Sequence, residues 1–362
     1  MFNNIYSGKK VLVTGHTGFK GSWLVYWLTQ LGAEVCGAAL PMTTEFNHFD
    51  LLKLDMRSEI ADIRDRKKIT RIMTGFQPDI VFHLAAQPLV RLSYREPAET
   101  FETNVMGTVN VLEACRQTGS VKAIVAISSD KCYENREQTA GYKESDPMGG
   151  FDPYSASKGC TELVVSAYRR SFFNNGKFGS KHHTLLASGR AGNVIGGGDW
   201  AQDRLVPDIM KAAAEKKTVT IRNPQATRPW QHVLEPLSGY LLLGQKLLEK
   251  DISAADGWNF GPSCSGQICV EKVTAALAEE WQDIKIKIDP PADAPHEAGL
   301  LALDCSKAQN ILNWHGVWTP EETFKRTASW YREFYTGGRT ATGEDWNAYI
   351  NSARKEQLSW TK

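Results

Sequence analysis

Lys10-Val-Leu-Val-Thr14, followed by Gly15-His-Thr-Gly18-Phe-Lys-Gly21, decides the fold. The first five residues form an apolar run too short for a helix and stopped by Gly15, the pattern of a strand buried on both faces of a parallel sheet. The three glycines then lead into a helical stretch. Trp23, Leu24, Trp27, Leu28 and Leu31 recur at helical spacing, and Gly32 follows where a C-terminal cap belongs. A glycine turn between strand and helix lets backbone N–H groups close on a pyrophosphate at the helix N-terminus. The same rhythm continues outward. Residues 34–39, 79–84, 123–128 and 184–187 read as further strands, with helical patterns over 67–75, 98–118 and 155–173 between them. Alternating units of this kind predict an α/β fold with a doubly wound parallel sheet, covered by helices on both faces.

The rhythm fades near residue 187, where Gly, Pro and Trp begin to gather in the stretches 189–200, 223–232 and 289–299. Residues 1–187 are therefore expected to form the dinucleotide platform. Residues 188–362 are expected to form mainly a smaller α/β cap that shapes a pocket, with some segments returning to the platform. Forty-two Lys and Arg against 41 Asp and Glu leave a net charge of +1, which argues against a polyanion-binding face but allows a local anion pocket. The seven cysteines (Cys36, Cys115, Cys132, Cys160, Cys264, Cys269, Cys305) are scattered and include no C-x-x-C pair, so reduced thiols of a cytoplasmic protein fit best. The eight histidines show no metal-ligand spacing, and no metal is expected. The N-terminus lacks the pattern of a secretory leader, and no apolar run nears the ~18 residues of a spanning helix.

Tyr154-Ser-Ala-Ser-Lys158 places a phenol and an ammonium on one helix face. Spacing alone says little, since 11 tyrosines and 24 lysines in 362 positions predict about 0.7 chance matches, and Tyr6–Lys10 is one. Context separates the two. Tyr6–Lys10 runs into the first strand, whereas Tyr154–Lys158 opens a helix after Asp152-Pro153 and follows the strand that ends in Ser128-Ser129. A phenol with a pKa of about 10 serves as a base only where its anion is favoured, which an adjacent Lys158 and a cofactor cation would do. Ser129 would share a hydrogen bond with the reacting oxygen.

The glycine turn and the Tyr154–Lys158 pair resemble the extended, nucleotide-sugar-modifying branch of the short-chain dehydrogenase/reductase superfamily, and so imply a Rossmann-type sheet. The resemblance implies that Gly15, His16, Thr17, Gly18, Phe19, Lys20 and Gly21 hold the dinucleotide. It places Asp62 and Ile63 at the adenine, Leu84, Ala85 and Ala86 beneath the cofactor, and Asn104 as a brace between strands. One departure is visible: Cys36-Gly-Ala-Ala-Leu40 lacks the acidic residue that usually meets the ribose hydroxyls, and no arginine stands there to favour NADP. NAD is expected, held less tightly than where that carboxylate is present.

Ser129-Asp130-Lys131 resembles the Thr-Asp-Glu of nucleotide-sugar 4,6-dehydratases, with Lys in place of Glu. Eliminating water needs an acid for the departing C6 hydroxyl and a base for the C5 proton. Asp130 is expected to be the acid and Lys131 the base, although lysine serves as a base only where its neutral form is favoured. The alternative is that the two form a loop-level ion pair. The stretches 189–200, 228–233 and 295–301 resemble the members of this branch that act on CDP-glucose. That resemblance implies Asn193 and Arg228 on the diphosphate, Arg190, Arg204 and His296 in the nucleotide pocket, and Gln87 at the substrate. Trp200 and Trp230 would either stack on the base or fill the core. The resemblance further implies a cytoplasmic homo-oligomer, a dimer or dimer of dimers through 98–118 and 155–173, working in deoxysugar biosynthesis such as that of lipopolysaccharide O-antigen. A dTDP-glucose dehydratase, a C4 epimerase and a non-catalytic NAD-binding regulatory module are the alternatives, and the last commonly lacks a Tyr–Lys pair.

Overall fold

A computed structural model describes residues 1–138, 140–221, 223–262, 267–289 and 300–362. In it the strands expected from the sequence are β1 (Lys10–Thr14), β2 (Glu34–Ala39), β4 (Ile80–His83), β5 (Ala123–Ile127) and β6 (Leu185–Ala191), with β3 (Arg57–Ile60) between β2 and β4. Four short strands follow: β7 (Val194–Ile195), β8 (Thr218–Ile221), β9 (Thr227–Pro229) and β10 (Gln231–His232). The last are β11 (Gly257–Phe260), β12 (Gln267–Cys269) and β13 (Lys285–Ile288). The main sheet runs β11-β6-β5-β4-β1-β2-β3, and every neighbouring pair in it is parallel.

Each strand of the platform alternates its side chains between two apolar layers. Val11 and Val13 of β1 join Val125 and Leu185 in one layer, while Leu12 joins Val81, Ile124 and Leu186 in the other. The helices that supply these layers, in chain order, begin with α1 (Phe19–Gln30), α2 (His48–Leu52), α3 (Arg66–Phe76), α4 (Val90–Arg95) and α5 (Pro97–Phe101). They continue with α6 (Gly107–Gln117), α7 (Pro153–Ser171), α8 (Leu205–Ala214) and α9 (Leu234–Leu248). The chain closes with α10 (Val270–Glu280), α11 (Ser306–Leu312), α12 (Pro320–Gly337) and α13 (Thr342–Lys355).

Three features go beyond the sequence reading. The helix expected over 98–118 is two helices, α5 and α6, joined by a π-helical turn at Glu102–Met106, a distortion that places Asn104 on the inner side. The strand expected at 184–187 continues to Ala191, across the expected changeover at residue 187. The seventh strand, β11, comes from the C-terminal half and pairs with β6, its Trp258 fully buried.

The cap is built from two-stranded ribbons, β10 with β7, β12 with β9 and β13 with β8, backed by an aromatic cluster. Trp200 packs against Phe46, Trp330 and Phe334, and its indole N–H donates to the Tyr335 hydroxyl at 3.0 Å. Trp230 is 5% exposed and donates to the Ile268 carbonyl. Both tryptophans therefore fill the core.

Candidate active site

The site lies at the carboxyl ends of β1, β4 and β5, where the strand order turns from β1 outward in both directions and leaves a crevice. Gly15 caps β1 at φ +76°, a conformation that costs an L side chain, and a Cβ there would stand 2.8 Å from the Ala85 backbone. A Cβ on Gly21 would stand 2.0 Å from the Gly15 carbonyl oxygen. These two glycines are therefore required by the protein's own packing. Gly18 is different: its nearest neighbour to a Cβ would be 3.4 Å away, and it is the N-cap of α1 with no side chain capping the helix. The open space and the uncapped N–H groups at the start of a 12-residue helix fit the pyrophosphate of a dinucleotide.

Around this turn, His16 is buried with Nε2 bonded to the Ser58 hydroxyl at 2.8 Å, and burial lowers its pKa to about 4, so it is neutral. Its ring rests on Gly37, where a Cβ would lie 2.2 Å from His16 Cγ. That contact explains a glycine inside β2 and uses the space over the strand for an imidazole. Thr17 donates to the Leu40 carbonyl at 2.9 Å. Phe19 and Lys20 open α1, and burial lowers the Lys20 ammonium to about 8, helped by Lys158 and Arg204 and opposed by Asp130. From within the glycine turn the Lys20 charge thus interacts with those of Lys158, Arg204 and Asp130.

Leu84, Ala85 and Ala86 follow β4, and the Ala85 N–H donates to the Thr14 hydroxyl at 3.2 Å. Asp62 lies just beyond β3 and is gripped by Arg64, whose Nη2 donates at 2.6 Å. Ile63 is buried against Gly107. Asn104 accepts from the Gln87 N–H at 2.8 Å and donates to the Gln87 carbonyl and the Ser157 hydroxyl, tying the loop after β4 to α7.

The catalytic candidates converge on the end of β5. Ser129 caps a 3-10 turn, Asp130–Cys132, and donates to Asp130 Oδ1 at 2.9 Å. Asp130 is 2% exposed, and its Oδ2 has no hydrogen-bond partner among the described residues. Burial raises its pKa, against the pull of Lys131, Ser129, Lys20 and Arg228, so it is a carboxyl suited to hold a proton. Lys131, on the same turn, is half-buried. Asp152 caps α7 by accepting from the Ser155 N–H at 2.9 Å, which sets Tyr154 and Lys158 on the first turns of the helix. Burial pushes the Tyr154 phenol up to about 12, while a hydrogen bond with Ser129 and the charge of Arg204 act against it. Burial lowers Lys158 to about 8, and Glu162 opposes that shift.

On the substrate side, Arg228 of β9 is 9% exposed, and its charge reaches Asp130. Arg204 stands before α8, pairs with Asp199 at 2.7 Å and acts on both Tyr154 and Lys20. Asn193 lies half-buried between β6 and β7. Two of the expected substrate residues have protein partners. The Arg190 guanidinium is buried in an ion pair with Glu162 at 2.8 Å. Gln87 donates to the Leu89 carbonyl and to the Thr100 hydroxyl of α5 and accepts from the Leu89 N–H. His296 and Cys264 lie outside the described residues. Sequence reasoning missed Glu162, although its position one helical turn beyond Lys158 was a readable signal.

The model of the GDP-mannose 4,6-dehydratase family matches residues 12–327. A CDP-glucose 4,6-dehydratase of Salmonella typhimurium is 52% identical over 336 residues, covering 92% of this chain and 93% of that protein. A structure of Thermus thermophilus UDP-glucose 4-epimerase in complex with NAD superposes with a TM-score of 0.76 at 25% identity, covering 89% of this chain and 99% of that one. The dTDP-glucose 4,6-dehydratase DesIV of Streptomyces venezuelae, at 24% identity, shares the fold with a TM-score of 0.75 over 90% of this chain and 97% of its own.

Proposed function

The chain belongs to the GDP-mannose 4,6-dehydratase family of the short-chain dehydrogenase/reductase superfamily, and from that premise we propose that it converts CDP-D-glucose to CDP-4-dehydro-6-deoxy-D-glucose and water with NAD. The observation that carries the reading is Asp130: a buried carboxyl with one unpartnered oxygen, set on the same turn as Lys131 and beside the Tyr154 phenol. An epimerase has no use for an acid at that place, whereas an elimination of water requires one. The 52% identity to a CDP-glucose 4,6-dehydratase supports the choice of cytidine over thymidine.

The glycine turn Gly15–Gly21 and the start of α1 would hold NAD, which when bound would supply the hydride acceptor for the oxidation at sugar C4 and the hydride donor for the reduction at C6. Tyr154 takes the proton of the C4 hydroxyl, steadied by Ser129 and by the positive charge of Arg204, with Lys158 one helical turn along the same face. Once C4 is a ketone, the C5 proton is acidic and Lys131 removes it. Asp130 gives its proton to the departing C6 hydroxyl, which leaves as water. When hydride reaches C6, Lys131 returns a proton to C5, and the C4 hydroxyl proton held on Tyr154 passes through Ser129 to restore Asp130. Asn193 and Arg228 hold the diphosphate, a role for which the arginine fork is suited. The product's 4-keto group acidifies its neighbouring carbons, the handle that further deoxysugar biosynthesis needs.

The same reading includes a homodimer. Phe101, Met106, Leu163 and Phe172 are large apolar side chains left exposed on α5, the π-helical turn and the face of α7 and its end, and a second copy of that surface would cover them. Among the described residues no helix is long and apolar enough to cross a membrane.

The test is incubation with CDP-, dTDP-, UDP- and GDP-sugars, following the alkali-sensitive absorbance of a 4-keto-6-deoxy product. CDP-glucose should turn over with no accumulation of reduced cofactor. Faster turnover of another nucleotide sugar would reassign the substrate, and bound NAD without any turnover would leave a regulatory module.

A further inference from the structure

Glu162 lies on α7 one helical turn beyond Lys158 and two beyond Tyr154, on the face that meets the sheet. It is 4% exposed and fully engaged: one carboxylate oxygen accepts from the Ser128 hydroxyl, the other from Ser188 Oγ and Arg190 Nη2, each at 2.8 Å. Burial pushes this carboxyl up, but Arg190 and the serine hydroxyls outweigh it and hold the group below its ordinary range, so it is an anion. Arg190 in turn donates to the Tyr133 hydroxyl at 2.6 Å and lies over the Tyr133 ring at 5.2 Å, while that hydroxyl donates to Asn259 Oδ1 at 2.7 Å. Ser128 and Tyr133 are the residues on either side of the segment 129–132 that carries Ser129, Asp130 and Lys131. One buried ion pair thus anchors both ends of the catalytic turn and sits beside the catalytic ammonium. Such a pair is a poor source of net stability, since apolar residues of the same volume usually serve as well or better.

Resting on the activity proposed above, we infer that Glu162 and Arg190 are positioning residues, which fix the 129–132 turn against α7 and hold the positive charge of Lys158 beside Tyr154. The pair also lines a cavity of about 550 Å³ shared with Arg169, Asp256 and Lys307, an opening by which a small carboxylate can reach the position of the Glu162 side chain.

The test is Glu162→Gln, which keeps the volume and removes the charge. Lys158 then loses its proton at lower pH, so the high-pH limb of kcat should move down by about one pH unit. At pH 8 kcat should fall about fivefold, with the KM for CDP-glucose within twofold. Glu162→Ala should show the same defect and recover several-fold in formate, which can occupy the vacated carboxylate position through the cavity. If Glu162→Gln does not fold, the charge-balanced double variant Glu162→Gln/Arg190→Met carries the same test. A folded variant with the wild-type limb and kcat within twofold overturns the inference. Should the wild-type protein turn over no nucleotide sugar, the activity reading falls by itself. The inference is then read from the titration of the Lys158 ammonium, followed by NMR of the 15N-labelled lysines and assigned by difference from Lys158→Met: Glu162→Gln must move it to lower pH, and an unmoved titration overturns it.

Discussion

Asp130 and Lys131 are sequence neighbours with opposite charges, and their chemistry depends on the different surroundings the turn gives them. Asp130 is buried with one oxygen unpartnered, and its pKa is raised by burial even though Lys131, Ser129, Lys20 and Arg228 all pull the other way. A loop-level ion pair would leave the carboxyl ionised and exposed, which is not what the turn provides. The division of labour is testable at single residues. Lys131→Ala should still transfer hydride from C4, but it should lose about 100-fold in water elimination and incorporate no solvent deuterium at C5. Wild-type elimination with deuterium at C5 would show that another group is the base. Asp130→Asn should stall at the same stage for the complementary reason, since the C5 proton leaves but the C6 hydroxyl has no donor. Deuterium should then exchange into unreacted 4-keto sugar, and a variant that eliminates water normally would remove Asp130 from the acid role.

At the scale of elements, the glycine turn and α1 act as one unit in which each glycine answers to a different constraint. Gly21→Ala would set a methyl 2.0 Å from the Gly15 carbonyl oxygen and should prevent native packing, read as loss of the cooperative thermal transition. Gly18→Ala meets no protein atom closer than 3.4 Å and should leave the melting temperature unchanged within about 1 °C while weakening NAD about tenfold, because the methyl enters the space a pyrophosphate would take. Wild-type NAD affinity in that variant would place the cofactor elsewhere. This unit was legible in the sequence because strand, turn and helix each carry a local signal, and the end of β1 follows from an apolar run closed by Gly15. Other elements were not. The π-helical turn at Glu102–Met106 preserves helical spacing on either side, so a periodicity spanning 98–118 hides it. The four residues of β11 sit among Gly, Asp and Pro, and only pairing with β6, settled by tertiary contact, makes them a strand. Arg190 reads as an anion binder by residue type, and only the fold places Glu162 against it.

Across the whole molecule, the C-terminal segments close back onto the platform instead of forming a detached cap. Phe2 stacks on Trp360 at 5.4 Å, and the Asn3 N–H donates to the Lys362 carbonyl, so the two ends of the chain meet beside Trp27 of α1. Glu235 of α9 accepts from the Val317 and Trp318 N–H groups and from the Tyr349 hydroxyl of α13, while Asp345 of α13 faces Arg326 of α12 at 3.5 Å with its second oxygen unpartnered among the described residues. Burial raises both carboxyls to about 7, with Arg326 only partly offsetting it at Asp345. A carboxyl whose folded pKa lies above its unfolded one stabilises the fold most when protonated, and that contribution is lost as pH rises from about 4 through 7. The closure of α13 should therefore weaken from mildly acid to alkaline pH, and Asp345→Asn, which keeps the shape without the charge, should weaken less. The melting temperature of the variant should exceed that of the wild type by about 2 °C at pH 8, with the gap narrowing toward pH 5. Glu235 titrates in both proteins and cancels from the comparison. Parallel melting curves across that range would mean that Asp345 stays ionised in the fold, held so by Arg326, and that the pH sensitivity of the closure rests on Glu235 alone.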